Sequence, residues 1–367
     1  MDEFTLVAVL AGLLGVTATE FPALRERSSV TAVAAGVVAA AASTAVVLLA
    51  AGRTDTFTLI GHMSRLVFVV APAVTALTVL RRRPTGFGRM DVAALTVATG
   101  VVAIGIYAVH VEPFWLRVDR PQVVVEMAGT GSVRIAVLAD LQTDGVGDHE
   151  REAVASIMAG EPDIIVVAGD VFQGSDTQFE AALADLRGLL LRLNAPHGVY
   201  FVEGDSDRWD RADAMLADTG ITRLDNRIVE LEAGGRTVRL GGNRLDHASA
   251  PAAAMRSRLA ASDRDDLVVL VSHRPDAVLD LPVASAVDLT IAGHTHGGQV
   301  QLPWFGPLLT LSDVPRAVAG GGLHEVDQNR IYVSTGVGVE RAPAPRLRFL
   351  ARPSVALIDV VPDDVPG

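Results

Sequence analysis

The sequence has 367 residues, of which 50% are hydrophobic and 20% charged, with a mean hydropathy of +0.36. A soluble protein of this length is rarely so apolar, so the composition predicts a membrane region beside a domain of roughly 250 residues. The chain contains no cysteine, which excludes disulfides, cysteine-ligated zinc, iron–sulfur clusters and thiol nucleophiles. A net charge of -12, with no basic stripe along the chain to offset it, argues against a nucleic acid partner.

Charge and apolar content both change near residue 116. Residues 1–116 hold eight arginines against seven acidic residues, so the rest of the chain carries the negative charge. A helix needs about 20 apolar residues to cross the hydrocarbon core of a bilayer. Three nearly uncharged runs meet that length and a fourth is shorter; they lie at 30–51, 57–80, 91–111 and 4–18. We therefore predict a transmembrane region of three to four helices over 1–116 and a second domain over 117–367.

The positions of the arginines predict the orientation of these helices. Arg25 and Arg27 follow the first run, and residues 81–83 and Arg89, all arginine, lie between the last two runs, whereas Arg53 stands alone between the second and third. Arginine-rich loops stay in the cytoplasm, so the domain after residue 116 is expected outside it. The acidic first residues are not typical of a cleaved signal peptide. These patterns predict a multi-pass cell-membrane protein whose partner is the lipid bilayer.

Beyond residue 116, short apolar runs alternate with amphipathic stretches, which is typical of strands joined by crossover helices. Strands are predicted at 133–139, 163–168, 198–202, 267–272, 287–292, 331–334 and 354–360, a hairpin at 228–231 and 237–240, and helices at 148–158, 178–193 and 249–261. Five of these runs lead within about three residues into Asp or His. In open α/β sheets, ligands bind beyond the carboxyl ends of strands. We therefore expect one crevice to contain Asp140, Asp170, Asp205, His273, His294 and His296.

The residue types in this set indicate metal binding. Neutral imidazoles and carboxylates suit zinc, iron or manganese. Six such groups are too many for one tetrahedral ion, but they fit two ions that share a carboxylate and together hold phosphoryl oxygens. A single Asp at such a position is more often a cap or turn residue. His294 and His296, two residues apart after a strand and flanked by glycines, are harder to explain without a metal.

These residues carry a family resemblance. The segment 133–361 resembles the calcineurin-like metallophosphoesterases, and most of all the bacterial membrane-associated branch, whose Gly-His-Thr-His-Gly-Gly-Gln is present at 293–299. Further motifs agree in order and spacing, at 167–170, 195–200, 272–276 and 334–338. The resemblance implies an α/β metallophosphoesterase domain, built as a two-sheet sandwich flanked by helices. It also implies hydrolysis of a phosphate ester with two divalent ions, drawn from manganese, iron, zinc and magnesium.

The resemblance also implies a role for each matching residue. Asp170 is expected to bridge the two ions. Asp140 and His296 are expected to bind one of them, and His273 and His294 the other.

Three positions depart from the family pattern. Gln142 stands where the family has a His ligand, Asp205 replaces an Asn ligand, and Ser206 replaces the usual catalytic His. We expect Gln142 and Asp205 still to bind metal through oxygen, which favours manganese, iron(II) or magnesium. The predicted catalytic residues are Asp205, Ser206 and His273. Asp207 is interpreted as a solvated turn residue rather than a further ligand.

The leading functional hypothesis is a membrane-anchored, metal-dependent phosphoesterase acting on a phosphorylated small molecule, a lipid or a cell-envelope intermediate. The altered positions support an alternative, a catalytically degenerate phosphoesterase-like protein with a binding or sensory role. A transport-related membrane protein with an accessory domain is a weaker third hypothesis. The pair Trp304 and Phe305 leaves two alternatives: contact with an apolar substrate group or the bilayer, or ordinary packing over the sheet edge.

Overall fold

The computed structural model describes residues 3–25, 27–82, 86–125, 131–263, 265–341 and 343–363. Contacts within the chain divide it into two compact units. One comprises Met1–Val111 with Glu340–Arg346, and the other comprises Glu112–Val339 with Leu347–Gly367. The predicted domain boundary at residue 116 lies within a few residues of this division. The segment Glu340–Arg346 belongs to the first unit, whereas the sequence analysis assigned it to the second domain.

The first unit is helical. Its helices are α1 (Glu3–Thr19), α2 (Pro22–Arg25), α3 (Ser29–Ala50), α4 (Thr56–Arg65), α5 (Ala71–Arg82) and α6 (Arg89–His110). A π-helical turn, Leu66–Val70, makes α4 and α5 one continuous helix. Among the described residues, three helices are long and apolar enough to cross a membrane, and α1 is shorter. The helices predicted from the apolar runs are confirmed, and their insertion in a membrane stays a prediction.

Glycines allow two of these helices to approach closely. A Cβ atom on Gly15 in α1 would lie 2.7 Å from the carbonyl oxygen of Gly36 in α3, and one on Gly36 would lie 2.8 Å from the Gly15 oxygen. Only hydrogen fits at such a backbone contact, which is how small residues pack apolar helices that gain little from burying side chains. Helix α3 begins where Ser28 Oγ accepts a hydrogen bond from the Thr31 nitrogen at 3.2 Å.

The second unit contains two mixed sheets. Its strands are β1 (Arg117–Asp119), β2 (Gln122–Val125), β3 (Val133–Leu138), β4 (Ile164–Val167), β5 (Val199–Phe201), β6 (Thr222–Arg223), β7 (Arg227–Ala233), β8 (Arg236–Gly242), β9 (Leu267–Val271), β10 (Leu289–Ala292), β11 (Gln301–Leu302), β12 (Gly306–Pro307), β13 (Gly322–Val326), β14 (Asn329–Val333) and β15 (Ser354–Pro362). The helices are α7 (Asp148–Met158), α8 (Asp176–Leu190), α9 (Trp209–Leu216), α10 (Ala250–Ala260) and α11 (Arg316–Ala319). The first sheet has the order β1-β15-β3-β4-β5-β6, with β2 also on β15, and the second β13-β14-β10-β9-β8-β7.

This unit has four layers, two sheets packed face to face with helices on the outer face of each, and the alternation of side chains along the strands explains why. In β3, Ile135 and Val137 lie in the core between the two sheets, whereas Ala136 and Leu138 pack with residues of the helices outside. Successive strand residues point to opposite faces, so a strand covered on both faces is apolar throughout. The second sheet behaves likewise, with β9 shared between the inner core and a cluster that includes α10. The predicted α/β two-sheet fold is confirmed.

The topology brings several strand ends together. Strands β3, β4 and β5 run parallel in one sheet, and β8, β9, β10 and β14 run parallel in the other. The two sheets meet at these ends, since the His294 nitrogen after β10 donates to Asp140 Oδ1 after β3 at 2.8 Å. The sequence prediction missed the short strands β1, β2, β6, β11, β12 and β13, which are too brief or too exposed to give a clear apolar period.

Candidate metal centre

The ends of β3 and β4 place the first carboxylates side by side. The Asp140 nitrogen donates to the Gly169 oxygen at 3.0 Å, and the Gln142 nitrogen donates to the Asp170 oxygen at 2.8 Å. Both aspartates are almost completely buried and have positive φ angles, 49° at Asp140 and 55° at Asp170. Such angles are uncommon outside glycine, and they cluster where a site over-determines the backbone. These two hydrogen bonds between the loops after β3 and β4 therefore hold the backbones of Asp140 and Asp170 side by side without a bound ligand.

Six side chains form two groups that can each hold a metal ion. The Asp205 group consists of Asp205, His273 and His294, and the Asp140 group consists of Asp140, Asp170 and His296; within each group the ligand atoms lie within 4.8 Å of one another. The two groups are adjacent, because His273 Nε2 lies 3.4 Å from Asp170 Oδ2 and 3.4 Å from Asp205 Oδ2. Asp170 is thus positioned between the groups, where a bridging carboxylate is needed. All six predicted strand-end residues are brought together, while their individual roles stay predictions.

Backbone carbonyls select which nitrogen of two histidines faces the centre. A carbonyl oxygen only accepts, so His273 Nδ1 donates to the Ala168 oxygen at 2.8 Å, and His294 Nε2 donates to the Leu311 oxygen at 3.2 Å. These bonds leave His273 Nε2 and His294 Nδ1 as the ligand atoms. Hydrogen bonds of this kind orient metal-binding imidazoles in many sites.

Several buried atoms of the centre lack hydrogen bonds. Asp140 Oδ2, His273 Nε2 and His296 Nε2 are inaccessible to solvent and have no hydrogen-bond partner of good geometry among the described residues. An unsatisfied buried polar group costs about 1–3 kcal/mol, so native structures rarely leave three in one place without a ligand. Nitrogen and carboxylate oxygen are suitable donors for zinc, iron or manganese. The residues present therefore fit a divalent metal centre.

Burial and neighbouring charges shift the protonation of the Asp140 group. Burial raises the pKa of Asp140 to about 7. Burial also acts to raise the pKa of Asp170, but the nearby His273 outweighs it and lowers that pKa to about 2. For His296, burial and the guanidinium of Arg348 hold the pKa well below its usual range. A neutral His296 and an ionised Asp170 are the forms that bind metals.

Arg348 forms hydrogen bonds to loops that carry or contact the metal centre, and the sequence analysis did not predict this role. Its guanidinium is fully buried and donates mainly to backbone oxygens, those of His296, Thr335, Gly336, Gly338 and Ala351. Burial lowers its pKa to about 10. The loop after β14 approaches so closely that a Cβ on Gly336 would lie 2.6 Å from Asp140 Cβ. Arg348 therefore joins the His296 loop to the loop that packs under Asp140.

The positions that depart from the family pattern all lie in or beside the centre. Gln142 is buried, and its Nε2 donates to Asp170 Oδ2 at 3.1 Å. Asp205 Oδ2 lies 2.9 Å from His294 Nδ1, and both of its oxygens accept hydrogen bonds from Arg274. Burial would raise the pKa of Asp205, but the two histidines of its group and Arg274 together lower it strongly. Arg274 had no predicted role, and it partly neutralises the extra carboxylate.

Asp207 corrects one prediction. It is only 4% exposed, not a solvated turn residue. Its carboxylate accepts hydrogen bonds from the nitrogens of Asp170 at 2.6 Å, Val171 at 3.0 Å and Gly204 at 3.0 Å. Burial raises its pKa to about 6. With its oxygens occupied by backbone donors, Asp207 ties the loop after β4 to the loop after β5 instead of binding metal.

Comparison with known proteins shows which sequences this chain is similar to. The family model of the calcineurin-like phosphoesterases matches residues 133–298. An uncharacterized metallophosphoesterase of Bacillus subtilis, YkuE, is 30% identical over 285 residues, which cover 74% of this chain and 93% of that protein. The phosphodiesterase YaeI of Escherichia coli is 26% identical over 273 residues, covering 72% of this chain and 96% of YaeI. Among solved structures, the NAD nucleotidase of Haemophilus influenzae aligns with a TM-score of 0.41 and 11% identity, over 57% of this chain and 46% of that one.

The fold and the two ligand groups define a metal-dependent phosphoester hydrolase. The chain belongs to the calcineurin-like metallophosphoesterases. This membership confirms the family that the sequence motifs predicted.

Proposed function

We propose that this chain is a membrane-anchored metallophosphoesterase of the bacterial membrane-associated branch, with its catalytic domain on the extracytoplasmic side. We further propose that it hydrolyses a phosphate ester of a lipid or another cell-envelope intermediate. The observation that carries the catalytic part is the adjacency of the Asp205 and Asp140 groups, with Asp170 between them. That arrangement supports two divalent ions rather than one.

Each ligand residue has a distinct task in this proposal. When bound, paired divalent ions would neutralise phosphoryl charge and lower the pKa of a water molecule, so that hydroxide is available to attack phosphorus at neutral pH. Asp170 is positioned to hold both ions. His273 and His294 present one nitrogen each, because their other nitrogens are fixed on carbonyl oxygens.

Two further residues shape the reaction at the centre. Arg274 has 40% of its side chain exposed beside Asp205, so its free face offers positive charge to an incoming phosphate. Ser206 cannot protonate the leaving oxygen as a histidine would. A positioned acid contributes roughly 10²–10⁴-fold to such reactions. The lipid or envelope substrate is therefore expected to have an acidic leaving group, such as a second phosphate in a pyrophosphate link.

Three observations support anchoring and orientation. Three helices have the length and apolar character of membrane spans. Arginines cluster in the segments predicted to face the cytoplasm. Phe114 and Trp115, directly after the last of these helices, are 61% and 52% exposed, and aromatic residues are enriched at membrane surfaces.

Turnover by the full-length protein tests the catalytic part. The protein is purified in detergent and supplied in turn with manganese, iron(II), zinc and magnesium, and hydrolysis of bis(p-nitrophenyl) phosphate is followed. Asp170→Asn serves as the inactive variant, and Asp148→Asn, a fully exposed carboxylate at the start of α7, serves as the matched control. We expect metal-dependent turnover in the wild type and the control only. Metal binding without turnover of any ester would instead support the degenerate binding or sensory protein.

A fusion tests the orientation. A reporter that works only in the cytoplasm is attached after Gly367. We expect it to stay silent, because the arginine-rich segments are predicted inside. A strong cytoplasmic signal would contradict the extracytoplasmic assignment, without affecting the catalytic part of the proposal.

A further inference from the structure

The loop that follows the metal-binding histidines ends in exposed apolar side chains. We call residues 301–307, which contain β11, β12 and the turn between them, the aromatic hairpin. Trp304 is completely exposed, Phe305 is 54% exposed and Leu302 41%. Packing of this aromatic pair over the sheet edge, one of the two predicted alternatives, is therefore wrong. Exposed tryptophan at the tip of a hairpin is costly in water, which indicates a partner.

The aromatic hairpin is fastened to a second exposed aromatic pair. The Gln301 nitrogen donates to the Phe349 oxygen at 2.8 Å. In the same segment, Arg352 donates to the Trp115 oxygen at 3.0 Å and its guanidinium lies 4.1 Å from the Trp115 ring. Leu350, 49% exposed, lies between these two attachments and lines the same hollow as Trp304. Phe114, Trp115, Leu302, Trp304, Phe305 and Leu350 thus belong to one connected set, which we call the aromatic surface.

The chemistry of this surface favours lipid over protein. Tryptophan and phenylalanine beside arginine are typical of side chains at the level of lipid head groups. Arg316 lies under Phe305, with its guanidinium 4.5 Å from the ring, and Arg352 lies on Trp115. Both guanidiniums donate to backbone oxygens, that of Arg316 in the loop after the hairpin tip and that of Arg352 at Trp115. Among the described residues neither forms an ion pair with an acidic side chain, so their positive charge can attract lipid phosphates although the domain as a whole is acidic.

The chain itself brings this surface near the expected bilayer. The Glu112 carboxylate accepts hydrogen bonds from the nitrogens of Leu350 at 3.0 Å and Ala351 at 2.6 Å. Glu112 is only two residues beyond the end of α6, the last of the candidate membrane helices. The segment that is hydrogen-bonded to the aromatic hairpin through Phe349 is thus attached to a residue that closely follows that helix in the chain.

We propose that the aromatic surface dips into the head-group region of the lipid bilayer and holds the metal centre at the membrane surface. The inference rests on the proposed membrane anchoring and deepens the proposed function, because it names the phosphate of a membrane lipid as the ester within reach. The hairpin begins five residues after His296, and the backbone oxygen of Leu311 beyond it accepts the hydrogen bond from His294. Contact of the hairpin with lipid therefore places that lipid's phosphate next to the ligand groups.

Quenching of tryptophan fluorescence tests the inference. The full-length protein is reconstituted in phosphatidylcholine vesicles with either ordinary or brominated acyl chains. Trp304→Phe keeps the surface apolar but removes one fluorophore. Trp209→Phe is the matched control, since Trp209 is 43% exposed but lies between Arg223 and Arg244. We expect Trp304→Phe to lose about half of the quenching that brominated lipid causes in the wild type, and Trp209→Phe to lose none.

Two other results would overturn the inference. Equal quenching of the wild type and Trp304→Phe would mean that Trp304 does not contact lipid. Protection of Trp304 from aqueous acrylamide without quenching by brominated lipid would mean that a protein, or a second copy of the chain, covers it. Turnover of bis(p-nitrophenyl) phosphate is measured in the same vesicles and should be the same in the wild type and Trp209→Phe. Its absence from both, with lipid quenching of Trp304 intact, would refute the proposed function and leave the lipid contact standing.

Discussion

The backbone nitrogen of Ser206 donates to Asp170 Oδ1 at 2.7 Å, whereas the Ser206 hydroxyl has no hydrogen-bond partner among the described residues. The residue therefore supports the central carboxylate through its backbone, which any amino acid except proline supplies. Its side chain, which is predicted to stand in the place of the family's catalytic histidine, forms no hydrogen bond that would hold another group in position. Substitution of the Ser206 side chain can therefore test its part in catalysis without removing the backbone hydrogen bond that supports Asp170.

Ser206 variants should reveal how the leaving group departs. We expect Ser206→Ala to change turnover by less than about twofold, because the hydrogen bond to Asp170 is retained. Ser206→His should raise turnover of esters with poor leaving groups by about 10²-fold, because only these need a proton, and should affect nitrophenyl esters little. The measurement is turnover against the pKa of the leaving group for the wild type and both variants.

The wild type itself provides the check on this interpretation. Its turnover should fall steeply as the leaving group becomes less acidic. A flat dependence would show that another acid is present at the centre. His247 is a poor candidate, because its ring binds Asp280 at 2.9 Å.

Loss of the central carboxylate should release metal. Asp170→Asn removes the charge that lies between the two ligand groups, so we expect most of the bound manganese or iron to be lost, as measured by elemental analysis of the purified protein. Asp148→Asn, on an exposed helix end, should keep the full content. A full metal complement in Asp170→Asn would refute the assignment of Asp170 as the bridging ligand.

Much of the fold and centre could be predicted because the relevant signals are local in sequence. The buried strands are continuous apolar runs, and the residues that end them, such as Asp140 and His273, share one chemistry. Asp207 could not be predicted, since Gly-Asp-Ser-Asp has the composition of a turn and only the packing of two strand ends shows the carboxylate among three backbone donors. Arg348 is one of several arginines in a proline-rich segment, and nothing in the sequence marks it as the buried one. The exposure of Trp304 depends on two-residue strands that give no periodic signal.

Asp207 should be required for folding of the catalytic domain. Asp207→Ala leaves the nitrogens of Asp170, Val171 and Gly204 without their acceptor, and each unsatisfied buried donor costs about 1–3 kcal/mol. We therefore expect the free energy of unfolding to fall by about 3 kcal/mol or more, measured by urea unfolding. Asp210→Ala, which removes an exposed ion pair with Arg208, should cost less than about 1 kcal/mol. A similar loss in both variants would contradict the role assigned to Asp207.

Asp288 should make stability depend on pH away from the metal centre. It lies just before β10, where its carboxylate accepts a hydrogen bond from the Val268 nitrogen at 2.8 Å. Burial raises its pKa to about 6, although this hydrogen bond, Arg330 and Arg236 act in the opposite direction. A carboxyl group whose pKa is higher in the folded than in the unfolded state stabilises the protein when protonated, and that contribution is lost as the pH rises through about 6.

Asp288→Asn should therefore stabilise the domain at neutral pH, because the amide oxygen still accepts from Val268 and no charge is buried. We expect the midpoint of thermal unfolding to lie above that of the wild type at about pH 7.5. The difference should shrink as the pH falls through about 5 and vanish only below about pH 4, where Asp288 becomes protonated in the unfolded as well as the folded state. Asp148→Asn, which changes an exposed carboxylate, should show no such trend. A difference between Asp288→Asn and the wild type that stayed constant over this range would mean that Asp288 keeps an ordinary pKa in the folded protein, and that burial at this strand end is offset in full by the two arginines.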